Sequence, residues 1–174
     1  DPGMTVQYSK TGMMAADGQC KPFDARADGY VRSEACVAMF LTACDYKNEQ
    51  HKGSLSALAG GAMNQDGRSA SLTAPNGPAQ EAVIKEALRR GGMSACEVVF
   101  VEAHGTGTNL GDPIEVGSLA RVFKGDEGGI REDGGSPNPV IPVVIGSIKG
   151  NVGHAEAAAG VVGVSRTINT MQRG

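Results

Sequence analysis

A short apolar run rich in β-branched residues that breaks into a glycine-containing loop and then into a helical pattern occurs twice in this chain, and no other feature restricts its fold more. Val98 to Ala103 feeds the loop His104 to Gly111, and Val140 to Ser147 feeds the loop Ile148 to Gly153. Apolar runs of this length, bounded by turn residues, predict strands buried on both faces. After the first loop, Asp112-Pro113-Ile114-Glu115 predicts a helix start with an acidic N-cap, proline at N1 and Glu115 at N3, and an extent to about Phe123. After the second, Ala157, Val161, Val164, Ile168 and Met171 recur at steps of 4, 3, 4 and 3, the stripe of a helix laid on a sheet. Strand, loop and helix repeated in this order imply α/β layers.

The rest of the chain fits that frame. A third helix is predicted after Asn76, a capping residue, with Pro78 in the first turn, an apolar face of Ala79, Val83, Ala87 and Leu88, and Gly91-Gly92 as the stop. Ala35 to Ala43 and Leu55 to Ala62 read as two further strands, and Asp1 to Arg32, broken by Asp17-Gly18, Lys21-Pro22 and Asp28-Gly29, as an irregular surface connection. Residues 125–139, rich in glycine, proline and charge, predict an exposed loop. With 174 residues the chain suits one compact domain. It opens at Asp1 without an initiator methionine and stops at Gly174 just after a helical pattern, which reads as a piece of something longer.

Composition narrows the partners. Lys and Arg number 16 against 19 Asp and Glu, a net charge of −3, so no basic surplus exists to meet nucleic acid or an anionic membrane. The longest uncharged stretch, Gly134 to Ile148, is 15 residues with three prolines and cannot span a bilayer as a helix. With 26 glycines, four Phe, three Tyr and no Trp, the core must be built from small aliphatic side chains. Cys20, Cys36, Cys44 and Cys96 form no CxxC pair, which predicts reduced thiols and a cytoplasmic setting.

In an open α/β sheet, reactive groups gather where loops leave the carboxyl ends of strands. His104 and His154 both lie in such connections, so the two rings are expected to face one cavity. At the start of a helix His154 should stay neutral at pH 7 and donate a hydrogen bond. Two such donors can hold a developing oxyanion. The plainer reading is that each histidine is a structural residue with its hydrogen bonds satisfied.

The segment Val101-Glu102-Ala103-His104-Gly105-Thr106-Gly107-Thr108-Asn109-Leu110-Gly111-Asp112-Pro113-Ile114-Glu115 resembles the first histidine motif of the β-ketoacyl synthases, in the form of modular polyketide synthases. Ile145 to Gly160, containing Lys149-Gly150-Asn151-Val152-Gly153-His154, is similar to the second, and Lys10 to Met13, Pro22-Phe23-Asp24 and Asp28 to Arg32 resemble the stretch that precedes the first. The resemblance spans nearly the whole chain. It implies part of a thiolase-like α-β-α-β-α layered sandwich that works as a dimer. Residues 1–174 would be a partial ketosynthase domain, the end of its N-terminal half plus most of its C-terminal half. The nucleophilic cysteine in its Thr-Ala-Cys-Ser-Ser setting would be missing, as would a C-terminal Gly-Phe-Gly-Gly-Thr-Asn stretch. Cys44, in Thr42-Ala43-Cys44, is followed by Asp45-Tyr46-Lys47 where small residues are needed, and reads as structural.

The activity so implied is decarboxylative Claisen condensation in polyketide or fatty-acid biosynthesis. A malonyl-type unit on acyl carrier protein would condense with an enzyme-bound acyl group, and the piece alone would be inactive. By motif position, His104 and His154 would stabilise the enolate and Lys149 would organise the site. Glu115 would be its acidic partner, paired closely with Lys149 near His154. Thr106 and Thr108 would contact the phosphopantetheine arm that the carrier brings; no cofactor or metal would be bound directly. The chain departs from the family at Ser33-Glu34-Ala35, usually Gly-Glu-Gly, and at Gly150, usually Thr. Gly163 replaces the Glu of many single-function fatty-acid synthases.

Three other readings compete. Gly105-Thr106-Gly107 with Gly111, after a strand and before a helix, suggests a dinucleotide-binding module, although the spacing is GxGxxxG and the acidic Asp126 or Glu127 falls in a loop. A non-catalytic relative that only binds carrier protein is another. A zinc site from His51, His104 and His154 lacks any ligand spacing.

Overall fold

The computed structural model describes residues 2–43, 53–69, 74–124 and 142–173. The elements run α1 (Pro2–Lys10), α2 (Gly77–Gly91), a 3-10 turn (Ala95–Glu97), β1 (Phe100–Glu102), α3 (Gly111–Phe123), β2 (Val144–Gly146), α4 (Lys149–Val152), a second 3-10 turn (Glu156–Ala158) and α5 (Ala159–Arg173). β1 and β2 pair in parallel, Val101 opposite Ile145 and Glu102 opposite Gly146, so both strands end at the same edge. Parallel neighbours need a crossover, and α3 lies in it. The α/β class read from the repeated pattern holds. The loops carrying His104 and Lys149 leave adjacent strand ends for that reason.

α2 starts and stops where its sequence says it should. The Asn76 side chain accepts the Ala79 N–H, and Gly92, at φ 63°, adopts the left-handed cap that sends its N–H to the Arg89 carbonyl. α2 packs on α3 through Gly77, where a Cβ would stand 3.1 Å from Ser118 Oγ. Ser118 is fully buried and donates to the carbonyls of Gly77 and Ile114.

Four expectations are corrected. Asp1 to Arg32 is no loose surface connection: it contains α1, and Ala15, Cys20, Ala27 and Tyr30 are among the buried residues. It is held by bridges Met14–Tyr30 and Arg32–His154, which turn it into a wall of the site. Ala35 to Ala43 and Leu55 to Ala62 form no strands: a strand needs a second strand for its backbone groups, no described strand pairs with either, and Gly60 lies instead against the Ala87–Gly91 end of α2. Phe40 and Leu58 are accordingly 94% and 82% exposed. Finally, α5 turns Val161, Val164 and Met171 outward and meets β1 with Gly163 and Arg166 instead. A polar group on the sheet decided that orientation: Glu102 accepts from Arg166, and only a glycine at 163 lets the helix come so close.

Residues 125–139, His51 and Cys44 lie outside the described residues. Cys20 and Cys36 are free thiols. No helix among the described residues is long and apolar enough to cross a membrane.

Candidate active site

The two histidine rings meet edge to face, their centroids 5.2 Å apart. His104 directly follows β1, and His154 is fixed from the other side by a backbone bridge, its N–H donating to the Val31 carbonyl and its carbonyl accepting from Ser33 N–H. Tyr30, buried, stacks at a tilt 5.3 Å from the His154 ring. Tyr30 lies in a motif quoted above but without a role; a lone tyrosine in a turn-rich stretch gives no sign of facing a histidine so far along the chain.

The protonation of His154 can be read from its neighbours. Its Nδ1 accepts the N–H of Glu156 at 3.0 Å, so the neutral ring carries its proton on Nε2. Glu156 reaches that position at φ 49°, a strained conformation for a non-glycine residue, stabilised by the ion pair of its carboxylate with Arg32. Burial pushes the pKa of His154 down, and the Lys149 ammonium, like any proton taken up by His104, pushes the same way. His104 opens to solvent on one side, but the protein packed behind it lowers its pKa as well, again with help from the Lys149 ammonium. Both imidazoles are thus neutral at pH 7. The cause is burial and neighbouring cations rather than the helix start, since α5 begins only at Ala159.

A stability consequence follows from these two depressed values. Below about pH 6.5, the ordinary histidine value, the unfolded chain takes up protons that the folded site resists, so stability should fall as pH drops through that window. Thermal melting of the protein should show it, and His154→Gln should flatten the slope. An identical slope in the variant would remove His154 as its source.

The acidic residues do something other than the sequence suggested. Neither Asp112 nor Glu115 caps its own helix, which starts one residue earlier at Gly111. Both reach back into the loop before it. Glu115 accepts from His104 N–H at 2.6 Å and Gly105 N–H at 2.8 Å, while Asp112, 5% exposed, accepts from Gly107 N–H, Thr108 N–H and, at 2.8 Å, Phe23 N–H. Buried loop amides need acceptors, and these two carboxylates provide them. Burial raises the pKa of Glu115 against the pull of those N–H groups.

This arrangement removes the dinucleotide reading. A phosphate would need the very amides that the carboxylates already occupy. The loop glycines serve packing: a Cβ on Gly105 would stand 2.6 Å from Ser147 Cβ, and one on Gly107 would stand 2.7 Å from Lys21 N.

Lys149 is 5% exposed at the start of α4, and burial lowers its pKa. The expected close pair with Glu115 is not formed: among the described residues no carboxylate lies within ion-pair distance of Lys149, because Glu115 is engaged by the His104–Gly105 amides. Their charges still interact across the site. Thr106 is buried with its hydroxyl 3.3 Å from that of Thr108, and Thr108 accepts the Gly111 N–H. At Gly150, a Cβ would stand 3.3 Å from Pro22 Cδ, so the departure from threonine coincides with a close approach of the Lys21-Pro22 segment. Ser33 buries a hydroxyl without a partner where the family usually has glycine. No group of three or more His, Cys, Asp or Glu among the described residues is placed to hold a metal ion.

Residues 55–174 match the family model "Beta-ketoacyl synthase, C-terminal domain", and residues 1–45 match "Beta-ketoacyl synthase, N-terminal domain". The chain belongs to the β-ketoacyl synthase family. It is 43% identical to a phenolphthiocerol/phthiocerol polyketide synthase of Mycobacterium tuberculosis over 99% of its length, and 43% identical over 99% to erythronolide synthase EryA3 of Saccharopolyspora erythraea. It spans only 7% and 5% of those relatives. Among solved structures, the oxazolomycin ketosynthase domain OzmH KS7 of Streptomyces albus JA3453 matches with a TM-score of 0.77 at 32% identity. The ketosynthase from module 6 of the bacillaene synthase of Bacillus subtilis 168 matches at 0.76 and 29%. Each match covers 99% of this chain, and 28% and 29% of the respective structures. The fold is therefore that of the thiolase-like ketosynthases.

Proposed function

We propose that this chain supplies the enolate-forming half of a ketosynthase active site, as the end of the N-terminal half and most of the C-terminal half of one domain that pairs as a dimer. The observation that carries the reading is the His104–His154 pair, edge to face at 5.2 Å, with the His154 proton directed to Nε2. A malonyl-type thioester on the phosphopantetheine arm of an acyl carrier protein is the substrate that such a site suits. Its carboxylate carbon–carbon bond breaks, carbon dioxide leaves, and the electron pair moves into the thioester as an enolate whose oxygen receives the histidine N–H groups. The enolate carbon then attacks an acyl thioester on a cysteine; the new carbon–carbon bond forms as the carbon–sulfur bond breaks and thiolate departs.

Lys149 assists by keeping both rings neutral, since its charge disfavours a second cation beside it. Glu115 holds the backbone of His104 and Gly105, which fixes where the first ring points. Thr106 and Thr108 keep free hydrogen-bonding capacity on the same loop for the pantetheine arm. None of the described cysteines suits the nucleophile: Cys20 is buried with its sulfur accepting the Val31 N–H, and Cys36 and Cys96 do not open helices.

The test uses the intact ketosynthase domain carrying this segment and malonyl-loaded carrier protein. Carbon dioxide release is expected, and its absence in an otherwise acylatable domain would overturn the reading. The 174-residue chain alone, incubated with a labelled acyl thioester, should yield no acylated protein by mass spectrometry. Stoichiometric acylation of Cys44 would reassign the nucleophile.

A further inference from the structure

We propose that Glu102, at the end of β1, is a positioning residue of this site that acts through the Ile148–Lys149 turn and through Arg166 of α5. The inference rests on the ketosynthase reading above. Glu102 lies beneath the catalytic loops rather than among them, with its side chain 9% exposed. One carboxylate oxygen accepts the Ile148 N–H at 2.7 Å, which ties β1 to the residue immediately before Lys149. The other accepts from Arg166, whose guanidinium also covers the Phe100 ring, 5.3 Å from its centroid. One side chain therefore joins the strand that delivers His104, the turn that delivers Lys149 and the helix behind both.

The same carboxylate matters electrostatically. Lys149 has no carboxylate at ion-pair distance among the described residues, yet it is nearly buried. The groups acting on its ammonium are Glu102 from β1, Glu115 and Asp112 from α3 and Cys20 from the N-terminal wall, with His104 and His154 beside it. Of the acids, Glu102 opposes the effect of burial most strongly. Its removal should therefore let Lys149 lose its proton at lower pH, and with it the charge that keeps the histidines neutral.

Gly163 is the other half of the device. A Cβ there would stand 3.1 Å from Glu102 Cγ and 3.8 Å from its Oε1, so the space beside α5 holds one acidic side chain, launched either from residue 102 or from residue 163. An acid moved from the strand to the helix, Glu102→Ala with Gly163→Glu, should refill the same place. Gly163→Glu alone should crowd two carboxylates together and fail.

The experiment measures malonyl decarboxylation against pH, with cysteine acylation as a second readout, in the intact domain. Glu102→Gln should lower carbon dioxide release by up to about 10²-fold, the scale of a displaced reacting group, and move the alkaline limb of the profile to lower pH. Glu102→Asp, which keeps the charge, should hold that limb in place, and the relocated double variant should recover much of the rate. An unchanged rate and limb in Glu102→Gln would overturn the proposal. If that variant does not fold, the double variant decides: folded protein with a wild-type limb supports the proposal, and failure on either count overturns it. His104→Ala in the same assay separates the two levels, since unchanged decarboxylation there sinks the ketosynthase reading and not merely the role of Glu102.

Discussion

Replacing either His104 or His154 by alanine in the intact domain should lower decarboxylation of a malonyl thioester by about 10² to 10³, the loss typical of a single oxyanion donor, while acylation of the cysteine proceeds. The geometry makes the two losses comparable but different in origin. His154 is held from three sides, by the Val31 and Ser33 backbone, by the Tyr30 ring and by the Glu156 N–H on Nδ1, so its deletion removes a fully oriented donor. His104 is oriented through its backbone, which Glu115 clamps. Carbon dioxide release measured beside acyl transfer distinguishes the outcomes. A variant that still releases carbon dioxide at the parent rate removes that histidine from the mechanism.

The second large effect should come from a residue that never touches substrate. Asp112→Ala leaves the N–H groups of Phe23, Gly107 and Thr108 without acceptors. An orphaned buried donor costs about 1–3 kcal/mol, and of the three only the Gly107 N–H is fully buried, so a loss of about 2–3 kcal/mol is expected in denaturant unfolding of the intact domain. Phe23 sits at φ 60°, and the 2.8 Å bond from its N–H to Asp112 is what holds that strained residue against Gly105. Asp112→Asn should cost less, because it retains an acceptor for the loop while turning an amide toward Phe23. An unchanged unfolding midpoint in Asp112→Ala would show that the loop amides find other partners.

Both predictions depend on contacts of very different range, and that range sets what was legible beforehand. Local chemistry is written in the sequence: Asn76 accepts from a residue three positions on, Gly92 caps α2 because it alone tolerates φ 63° there, and each of the two β-branched runs contains a strand, shorter than the run, at Phe100–Glu102 and Val144–Gly146. The order strand, loop, helix, repeated, then fixed the parallel pair and hence the meeting of two loops at one edge. Long motifs around His104 and His154 carried the family.

Tertiary structure alone decided which partners those residues took. Asp112 and Glu115 satisfy the spacing of a helix cap, yet the buried amides of the preceding loop compete for the same oxygens and win, since an unpaired buried N–H costs more than an uncapped end open to water. That competition also kept Glu115 from pairing with Lys149. The apolar stripe of α5 satisfies the period of a packed helix, but Glu102 needed Arg166 and the clearance of Gly163, so the helix meets the strand through those two residues. Periodicity records which residues share a face; which face is buried depends on the charge waiting on the neighbouring element, and here that charge lies 64 residues away along the chain.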